Sequence, residues 1–256
     1  MKRQLLIIDP QEDFCNPISG ALYVAGAESD IERIATLLCL PCDFDAIHVT
    51  LDTHHLLDIA HPLWWKDLRG APPAPFTIIE DLSQWHAANP AHQTRGEAYV
   101  GALARNGRYP LCIWPPHCLI GSAGHAVAAK LFSALCDWER RTGKSVNYVR
   151  KGENPFTEHY SAIAADVPDP SDPATLPNKA LLTSLAQADE ILVCGEAGSH
   201  CVANTVRDLV AHGISAQKLT LLTDAFSPVP GFTHFQDAFL AELKAAGARL
   251  TTTKEI

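Results

Sequence analysis

The sequence predicts an α/β fold built around a mostly parallel sheet that is flanked by helices. Two observations predict it: short apolar runs rich in β-branched residues recur along the chain, and longer stretches of helical period separate them. The predicted strands cover residues 5–8, 46–51, 145–149, 191–194, 219–222 and 249–252. A chain of 256 residues is long enough to bury one large core, so we expect residues 1–256 to form a single domain.

Helical periodicity appears between these strands, as a parallel sheet requires. The first helix is expected to begin near Ser29, a candidate N-cap. Its apolar residues recur at the spacing of one helix face, namely Ile31, Ile34, Leu37 and Leu38. Further helices are predicted over residues 126–138, 179–185, 202–210 and 235–243. Gly213 and Gly247 closely follow the last two helices and are typical of C-terminal caps.

Residues 62–110 interrupt the alternating pattern. Six prolines occur there together with Trp64, Trp65 and Trp85. We therefore predict a long insert that is largely irregular and that its aromatic side chains anchor. Trp64, Trp65 and Phe76 are expected to pack against the domain, with a lid or a subunit contact as the alternative.

Charge and hydropathy exclude several classes of partner. The formal net charge is -9 and no run of Lys or Arg occurs, so neither a nucleic acid nor an anionic membrane is an expected partner. No apolar stretch approaches the ~20 residues that cross a bilayer. Residues 1–4 lead directly into a predicted strand without the pattern of a signal peptide. We therefore expect a cytoplasmic protein.

The chain contains eight cysteines, and they are scattered along its length. In a reducing compartment they are expected to remain thiols. Only Cys39 and Cys42 have C-x-x-C spacing, and no second pair follows that would complete a zinc site.

Reactive side chains follow four of the predicted strands. Asp9, Asp52 and Lys151 come at or just after strand ends, and Cys201 follows another strand after a short loop. In an open parallel sheet ligands bind beyond the carboxyl ends of the strands, so these side chains are expected to meet at one edge. A carboxylate, an ammonium and a thiol brought together there can form an activated nucleophile.

Cys201 is the sharpest candidate among these residues because it opens a helix. The helix dipole and the free amides at a helix N-terminus are expected to lower the pKa of its thiol and to bind an oxyanion. Asp9 would take the thiol proton and pass it to a leaving amine, while Lys151 favours both ionised partners. The alternative interpretations are a small buried residue for Cys201, a turn cap for Asp9 and a solvated strand end for Lys151.

A second group of residues suits a metal ion. Asp52, His54, His55 and His61 lie close together in sequence, and His117 occurs later in a Trp-Pro-Pro-His-Cys segment. One carboxylate with several imidazoles is a donor set for Zn²⁺ or Fe²⁺ with water in the open positions. The alternative is that these histidines are merely solvated loop residues.

These motifs together resemble the nicotinamidase and isochorismatase-like cysteine hydrolases. The opening segment 5–14 resembles the family's first strand with its aspartate. Segment 114–118 matches the W-P-x-H-C block of nicotinamidases, Lys151-Gly152 matches the lysine segment, and 195–205 resembles the nucleophile loop. The resemblance runs from about residue 5 to about residue 224.

The resemblance implies the isochorismatase-like hydrolase fold, a three-layer sandwich with a six-stranded, mostly parallel sheet between helices. It implies a catalytic triad of Asp9, Lys151 and Cys201. The oxyanion would be bound by the amides of Ala197 and Cys201, with a cis peptide bond before Ala197.

The resemblance also implies a metal site and a substrate pocket. The implied metal ligands are Asp52, His54, His61 and His117, with His55 as a competitor for His54 or His61. Zn²⁺ is the favoured ion, and Fe²⁺ or Mn²⁺ are alternatives. The implied ring-contacting aromatics are Phe14, Trp114 and Tyr160. In two respects the chain departs from the family: Glu196 stands where an aliphatic residue is usual, and Ser199 stands where nicotinamidases usually have Asp.

The implied activity is that of a metal-dependent cysteine amidohydrolase in pyridine nucleotide metabolism and NAD salvage. It would hydrolyse nicotinamide or a similar small aromatic amide to the acid and ammonia through a cysteine thioester, and it would act as a homo-oligomer. The first alternative is a related hydrolase of another small amide or carbamoyl compound. The second is a catalytically inactive metal-binding or redox protein.

Overall fold

A computed structural model describes residues 1–40 and 44–256 of the chain. Its strands are β1 (Arg3–Ile8), β2 (Ala46–Asp52), β3 (Trp65–Asp67), β4 (Ile78–Ile79), β5 (Trp85–Ala87), β6 (Leu111–Cys112), β7 (Asn147–Lys151), β8 (Glu190–Gly195), β9 (Leu219–Leu222) and β10 (Arg249–Thr251). Its helices are α1 (Glu12–Cys15), α2 (Ala27–Cys39), α3 (Gln93–Arg105), α4 (Ala129–Thr142), α5 (Lys179–Ala186), α6 (Cys201–Ala211) and α7 (Thr233–Ala245). Cys42, and with it the C-x-x-C pair, lies outside the described residues.

The central sheet has six strands in the order β10-β9-β8-β1-β2-β7, and every neighbouring pair is parallel. These are the six predicted strands, each within two residues of its predicted ends. β1 lies in the middle, and its Leu5–Ile8 run is fully buried because helices cover both faces of the sheet. The carboxyl ends of β1, β2, β7 and β8 therefore lie side by side at one edge, and the predicted α/β sandwich is confirmed.

The helices follow the predicted order with one correction at an N-terminus. α2 begins at Ala27, and its N-cap is Gly26 with a φ of 102°. The amide of Ser29 already donates to the carbonyl of Gly26 at 2.9 Å, so Ser29 lies in the first turn and the predicted N-cap is wrong. The predicted C-terminal glycines are confirmed: Gly213 and Gly247 follow α6 and α7 with φ of 92° and 98°.

Residues 62–110 are more regular than predicted. They contain the antiparallel pair β3–β5, the strand β4, which pairs with β6 just beyond the segment, and the 13-residue helix α3. The prolines flank α3 and do not interrupt it, since none occurs between Pro90 and Pro110. The expectation of a largely irregular segment is therefore wrong, whereas the expected aromatic anchors are present: Trp64 and Trp65 are buried.

Within residues 1–40 and 44–256, no helix combines the length and the apolar character that spanning a bilayer requires.

Candidate active site

Cys201 is the first residue of α6 and lies next to the carboxyl end of the sheet. The loop that precedes it leaves β8 at Gly195, whose φ of 105° no side chain would tolerate easily. A Cβ at Gly195 would also approach the carbonyl oxygen of Ile8 to 2.1 Å, so the close approach of β8 to β1 at this point requires a glycine. The thiol is nearly buried, with 5% of the residue exposed, and its sulfur lies 3.6 Å from Nζ of Lys151.

Lys151 ends β7 and joins the other candidate residues through its ammonium group. Its Nζ lies 2.9 Å from Oδ2 of Asp9 and 2.9 Å from Oδ1 of Asp52, and it donates to the carbonyl of His159 at 2.9 Å. Burial disfavours the charged form, but Asp52, Asp9 and Cys201 outweigh it and hold the pKa of Lys151 well above its usual range. The lysine is therefore held in its charged form, and the alternative interpretation of a solvated strand end is wrong, because only 3% of Lys151 is exposed.

Asp9 follows β1 directly and is held rigidly. Its amide hydrogen bonds to Oγ1 of Thr50 at 3.0 Å, and the same hydroxyl donates to Oδ1 of Asp9 at 2.5 Å. Its φ of 42° lies in the left-handed region, an uncommon conformation for a residue other than glycine. Burial raises the pKa of Asp9, Lys151 acts in the opposite direction, and Asp52 reinforces burial. The carboxyl group is thus placed to exchange a proton beside the thiol.

The protonation state of Cys201 differs from the prediction. Burial raises the pKa of the thiol well above its usual range, Lys151 opposes this, and Asp9 and Asp52 add to it. The expected lowering by the helix N-terminus is therefore wrong for the resting site, because desolvation in a buried pocket with two carboxylates outweighs the helix dipole. A thiol whose pKa is raised in this way needs a base before it can attack.

Free amides lie in the loop before α6 and at its first residue. Among the residues that the structure describes, the amides of Ala197, Ser199 and Cys201 donate to no protein acceptor, whereas the amides of Gly198 and His200 are both used. The amides of Ala197 and Cys201 are the pair that the resemblance implies. The peptide bond between Glu196 and Ala197 is cis, as the resemblance implies. Two unpaired amides next to a buried thiol are a donor pair for an oxyanion.

The predicted metal ligands form one buried cluster beside the thiol. Oδ2 of Asp52 lies 3.1 Å from Nε2 of His54 and 3.4 Å from Nε2 of His117, and these three residues could hold one ion. The ring centroid of His61 lies 5.1 Å from that of His54 and 5.5 Å from that of His117. His61 is therefore a neighbour of these three residues, but it is not close enough to be grouped with them as a ligand. His55 is exposed, and the alternative that it replaces His54 or His61 is not supported by its position.

Hydrogen bonds orient all three imidazoles in the same way. Nδ1 of His54 faces Oδ2 of Asp58 at 3.0 Å, Nδ1 of His61 faces the carbonyl of His55 at 3.2 Å, and Nδ1 of His117 faces the carbonyl of Pro115 at 2.9 Å. Each acceptor favours a proton on Nδ1, and a metal would bind at Nε2. Without a metal, Nε2 of His54 also faces Oδ2 of Asp52 at 3.1 Å, and Asp52 and Asp58 outweigh burial and raise the pKa of His54 well above its usual range, so a metal would have to displace that proton. Nε2 of His61 is buried without any partner, as expected for an imidazole that awaits a ligand. The donor set therefore fits a divalent metal.

A second set of potential ligands encloses the ammonium group and not a metal. Asp9, Asp52 and Cys201 also come close enough to share an ion. Nζ of Lys151 lies within 3.6 Å of all three, so an ammonium group already interacts with the atoms that would bind a metal there. Asp52 belongs to both groups: burial raises its pKa, but His54 and Lys151 outweigh burial and hold that pKa well below its usual range.

The predicted ring-contacting aromatics surround this region, but they do not form a single group. Phe14 packs edge-on against His117 with ring centroids 5.3 Å apart. Nε1 of Trp114 donates to the hydroxyl of Tyr160 at 2.9 Å, and both rings contact the imidazole of His200. Phe76 from the 62–110 segment lies edge-on to Trp114 at 5.8 Å and is 49% exposed.

Sequence reasoning missed several residues of the site. Asp58 stands four residues after His54 and binds it, a spacing that the search for ligands could have included. Gln11 hydrogen bonds to both the amide and the carbonyl of Asp52, and no local pattern signals this. His200, directly before Cys201, is buried among five aromatic rings, and burial lowers its pKa to about 3.

Known proteins with the same fold and similar sequences exist. The nicotinamidase of Escherichia coli (strain K12) is 28% identical over 260 residues, which cover 98% of this chain and 94% of that protein. The structure of PnC1 from L. infantum in complex with nicotinate is 25% identical with a TM-score of 0.63, covering 99% of this chain and 93% of that one. The structure of an isochorismatase-like hydrolase from Alkaliphilus metalliredigens is 15% identical with a TM-score of 0.56, and the match covers 100% of this chain and 97% of that one.

No family model matches the chain. The similarity to a nicotinamidase nevertheless extends over almost the whole length of both proteins. The shared fold includes the sheet edge at which Asp9, Lys151 and Cys201 meet. The predicted resemblance to the nicotinamidase-related, isochorismatase-like hydrolases is therefore confirmed, and with it the predicted enzyme class, a hydrolase of linear amides.

Proposed function

We propose that the protein is a metal-dependent cysteine amidase that hydrolyses nicotinamide, or a similar small aromatic amide, to the acid and ammonia. One observation carries this proposal: Asp52 joins a buried thiol–lysine–carboxylate group to a buried cluster of imidazoles. The nicotinate bound by the similar PnC1 from L. infantum supports a pyridine carboxamide as substrate.

The proposed catalytic residues are Asp9, Lys151 and Cys201. Asp9 takes the proton of the thiol, and the sulfur attacks the carboxamide carbon. The amides of Ala197 and Cys201 donate to the resulting oxyanion. Asp9 returns the proton to the nitrogen as the C–N bond breaks, so ammonia leaves and a thioester remains.

Hydrolysis of the thioester reverses these roles. Asp9 takes a proton from the attacking water, the bond between sulfur and carbon breaks, and the sulfur of Cys201 recovers the proton. Lys151 keeps its charge throughout and stabilises the anionic forms of Asp9 and Cys201. The aromatic rings of Phe14, Trp114 and Tyr160 exclude water and orient a planar substrate.

We propose that Asp52, His54, His61 and His117 hold a divalent metal, with Zn²⁺ favoured over Fe²⁺ or Mn²⁺. When bound, the ion would supply a Lewis acid for a neutral donor atom of the substrate. Burial, together with His117 and His54, lowers the pKa of His61 to about 4, so this imidazole is neutral and can bind a metal. The predicted homo-oligomer, the cytoplasmic location and the single domain with an insert at 62–110 stay predictions.

The alternative substrate, another small amide or carbamoyl compound, rests on the 62–110 segment. Phe76 reaches Trp114, and Tyr109 packs against Tyr160 and His200. Two aromatic side chains from this segment therefore form part of the wall around the predicted pocket. A wall of this kind can alter which amides fit.

Ammonia release from nicotinamide tests the proposed function. We expect the metal-loaded protein to release ammonia from nicotinamide faster than from benzamide, which lacks the ring nitrogen. A small amide or carbamoyl compound that reacts at least about tenfold faster than nicotinamide would establish the alternative. If no amide is hydrolysed after loading with Zn²⁺, Fe²⁺ or Mn²⁺, the proposed function is wrong.

The metal cluster gives a second expected result. Replacing His117 by Ala removes one ligand, and we expect metal affinity to fall by at least about 100-fold. His55→Ala is the matched control, because His55 is exposed and lies outside the cluster. Competition with a chelating indicator measures both variants. Equal metal affinities in the two variants would exclude the proposed ligand set.

A further inference from the structure

Behind the nucleophile loop lies a buried carboxyl group with which no cation among residues 1–40 and 44–256 forms an ion pair. Glu196 is 0% exposed and directly precedes Ala197. Its Oε2 accepts a hydrogen bond from the amide of Ser227 at 3.3 Å, and its Oε1 receives none. A buried carboxylate without a cation or a full set of donors costs several kcal/mol, so the group is expected to be neutral.

The groups that face Glu196 are acidic or neutral. They are Asp30 and Glu28 of α2, Cys15 of α1 and Cys194 of β8, and Asp224 after β9 acts on Asp30 and Cys194. The nearby cation, Arg33, bonds to Oδ1 of Asp30 at 3.0 Å and is itself partly exposed. Burial, and after it Asp30, raises the pKa of Glu196 well above its usual range.

Ser227 joins the side chains of Glu196 and Asp30. Its amide donates to Oε2 of Glu196 at 3.3 Å, and its hydroxyl donates to Oδ2 of Asp30 at 2.5 Å. Burial raises the pKa of Asp30 as well, but the hydroxyl of Ser227 and the guanidinium of Arg33 oppose this and stabilise its negative charge. In the part of the chain that the structure describes, Glu196 has no such charged or hydroxyl donor, so the proton belongs on Glu196 and the charge on Asp30.

The same pair is connected to the oxyanion amides. The amide of Ser227 binds the side chain of Glu196, and the carbonyl of Ser227 accepts the amide of Gly198 at 2.8 Å. Ala197, whose amide is free, thus lies between two residues that are both attached to the backbone of Ser227. A change at the carboxyl group of Glu196 would move this amide first.

We propose that Glu196 is a positioning residue, which as a neutral carboxylic acid bound to the amide of Ser227 holds the amide of Ala197 in place. The inference rests on the proposed function for the role of that amide. It predicts that loss of the proton at alkaline pH loosens the nucleophile loop. Substrate binding is expected to change little, because the metal cluster and the aromatic rings are on other elements.

Unfolding as a function of pH tests the proton. An unfolded glutamate ionises near pH 4.3, whereas the folded group keeps its proton, so above that pH folding binds one additional proton and stability falls as pH rises. In Glu196→Gln the pH dependence that comes from this proton disappears. Between pH 5.5 and 8 we therefore expect the ratio of the wild-type unfolding constant to that of the variant to increase tenfold for each pH unit.

Glu190→Gln is the matched control. Glu190 begins the same strand β8 at its opposite end and is paired with Arg3 at 2.8 Å, so this variant should keep the wild-type slope. If Glu196→Gln does not fold, Glu196→Met serves instead, since its side chain has a similar length and cannot ionise. The same slope in the wild-type protein and in the folded variant would overturn the proposal.

Turnover tests the positioning role separately. In the alkaline range in which the additional wild-type slope disappears, kcat of Glu196→Gln relative to wild type should rise several-fold while KM stays unchanged. Suppose that Glu196→Gln removes the additional pH dependence of unfolding but leaves the ratio of its kcat to the wild-type kcat the same at every pH. That result would overturn the positioning role. Because the unfolding measurement needs no substrate, a failure to hydrolyse any amide would contradict the proposed function and not the proton on Glu196.

Discussion

Cys201→Ala is expected to abolish amide hydrolysis, with kcat falling on the order of 10⁴-fold or more. The sulfur is the proposed nucleophile, and a methyl group in its place can neither attack the carboxamide carbon nor form a thioester. The remaining groups, Asp9 and Lys151, have no nucleophile to activate. Ammonia release under saturating substrate measures the effect.

A matched control separates this effect from the mere loss of a buried thiol. Cys194 is fully buried in β8, and its thiol donates to the carbonyl of Leu6 at 3.9 Å. Cys194→Ala should keep turnover within a few-fold of wild type, at a stability cost of about 1 kcal/mol.

The covalent intermediate provides an independent measurement. Acid quenching of the wild-type protein during turnover, followed by mass spectrometry, should detect the acyl group on the peptide that contains Cys201. Cys201→Ala should show no such adduct. Substantial turnover by Cys201→Ala, or an adduct on another residue, would contradict the assigned nucleophile.

Lys151→Met is expected to destabilise the protein by about 3–5 kcal/mol and to abolish hydrolysis. The ammonium lies 2.9 Å from each of two buried carboxylates, Asp9 and Asp52. Without it, two negative charges remain buried near each other in a medium of low dielectric constant. Urea unfolding measures the loss of stability. It is done on the metal-free protein, because a bound metal would partly replace the positive charge of Lys151.

Lys130→Met is the control for this second variant. Lys130 pairs with Glu32 at 2.7 Å, a similar distance, but its side chain is 60% exposed. An exposed pair contributes between about 0 and 1 kcal/mol, so the control should unfold almost as the wild-type protein does. A small effect of Lys151→Met, comparable with that of Lys130→Met, would show that the buried charges are not compensated by the lysine.

The position of the site could be predicted from the sequence because parallel strands share a direction. Apolar runs identified β1, β2 and β7, and each has a reactive residue at its carboxyl end. Since these strands are neighbours in one sheet, Asp9, Asp52 and Lys151 are brought together by local sequence and a general rule of topology. The residues that support them could not be predicted, since Asp58 and Gln11 act through contacts that only the folded loops create.

The 62–110 segment shows the limit of composition as a guide. Its six prolines indicated irregular chain, but their positions leave 13 residues free to form α3. The aromatic anchors were predictable, because large rings are buried whatever the local conformation. That Phe76 would reach Trp114 was not predictable, because the contact joins residues distant in sequence.

By itself the sequence determined the six strands, their order along the chain and the residue types at their ends, because hydrophobic periodicity and turn chemistry are local properties. Only the tertiary structure decided the protonation states. Burial and the neighbouring carboxylates reverse the expected direction of the pKa shift of the Cys201 thiol, and burial and Asp30 raise the pKa of Glu196. Desolvation and Coulomb interactions depend on which groups surround a side chain in space, and distance along the sequence does not specify those groups.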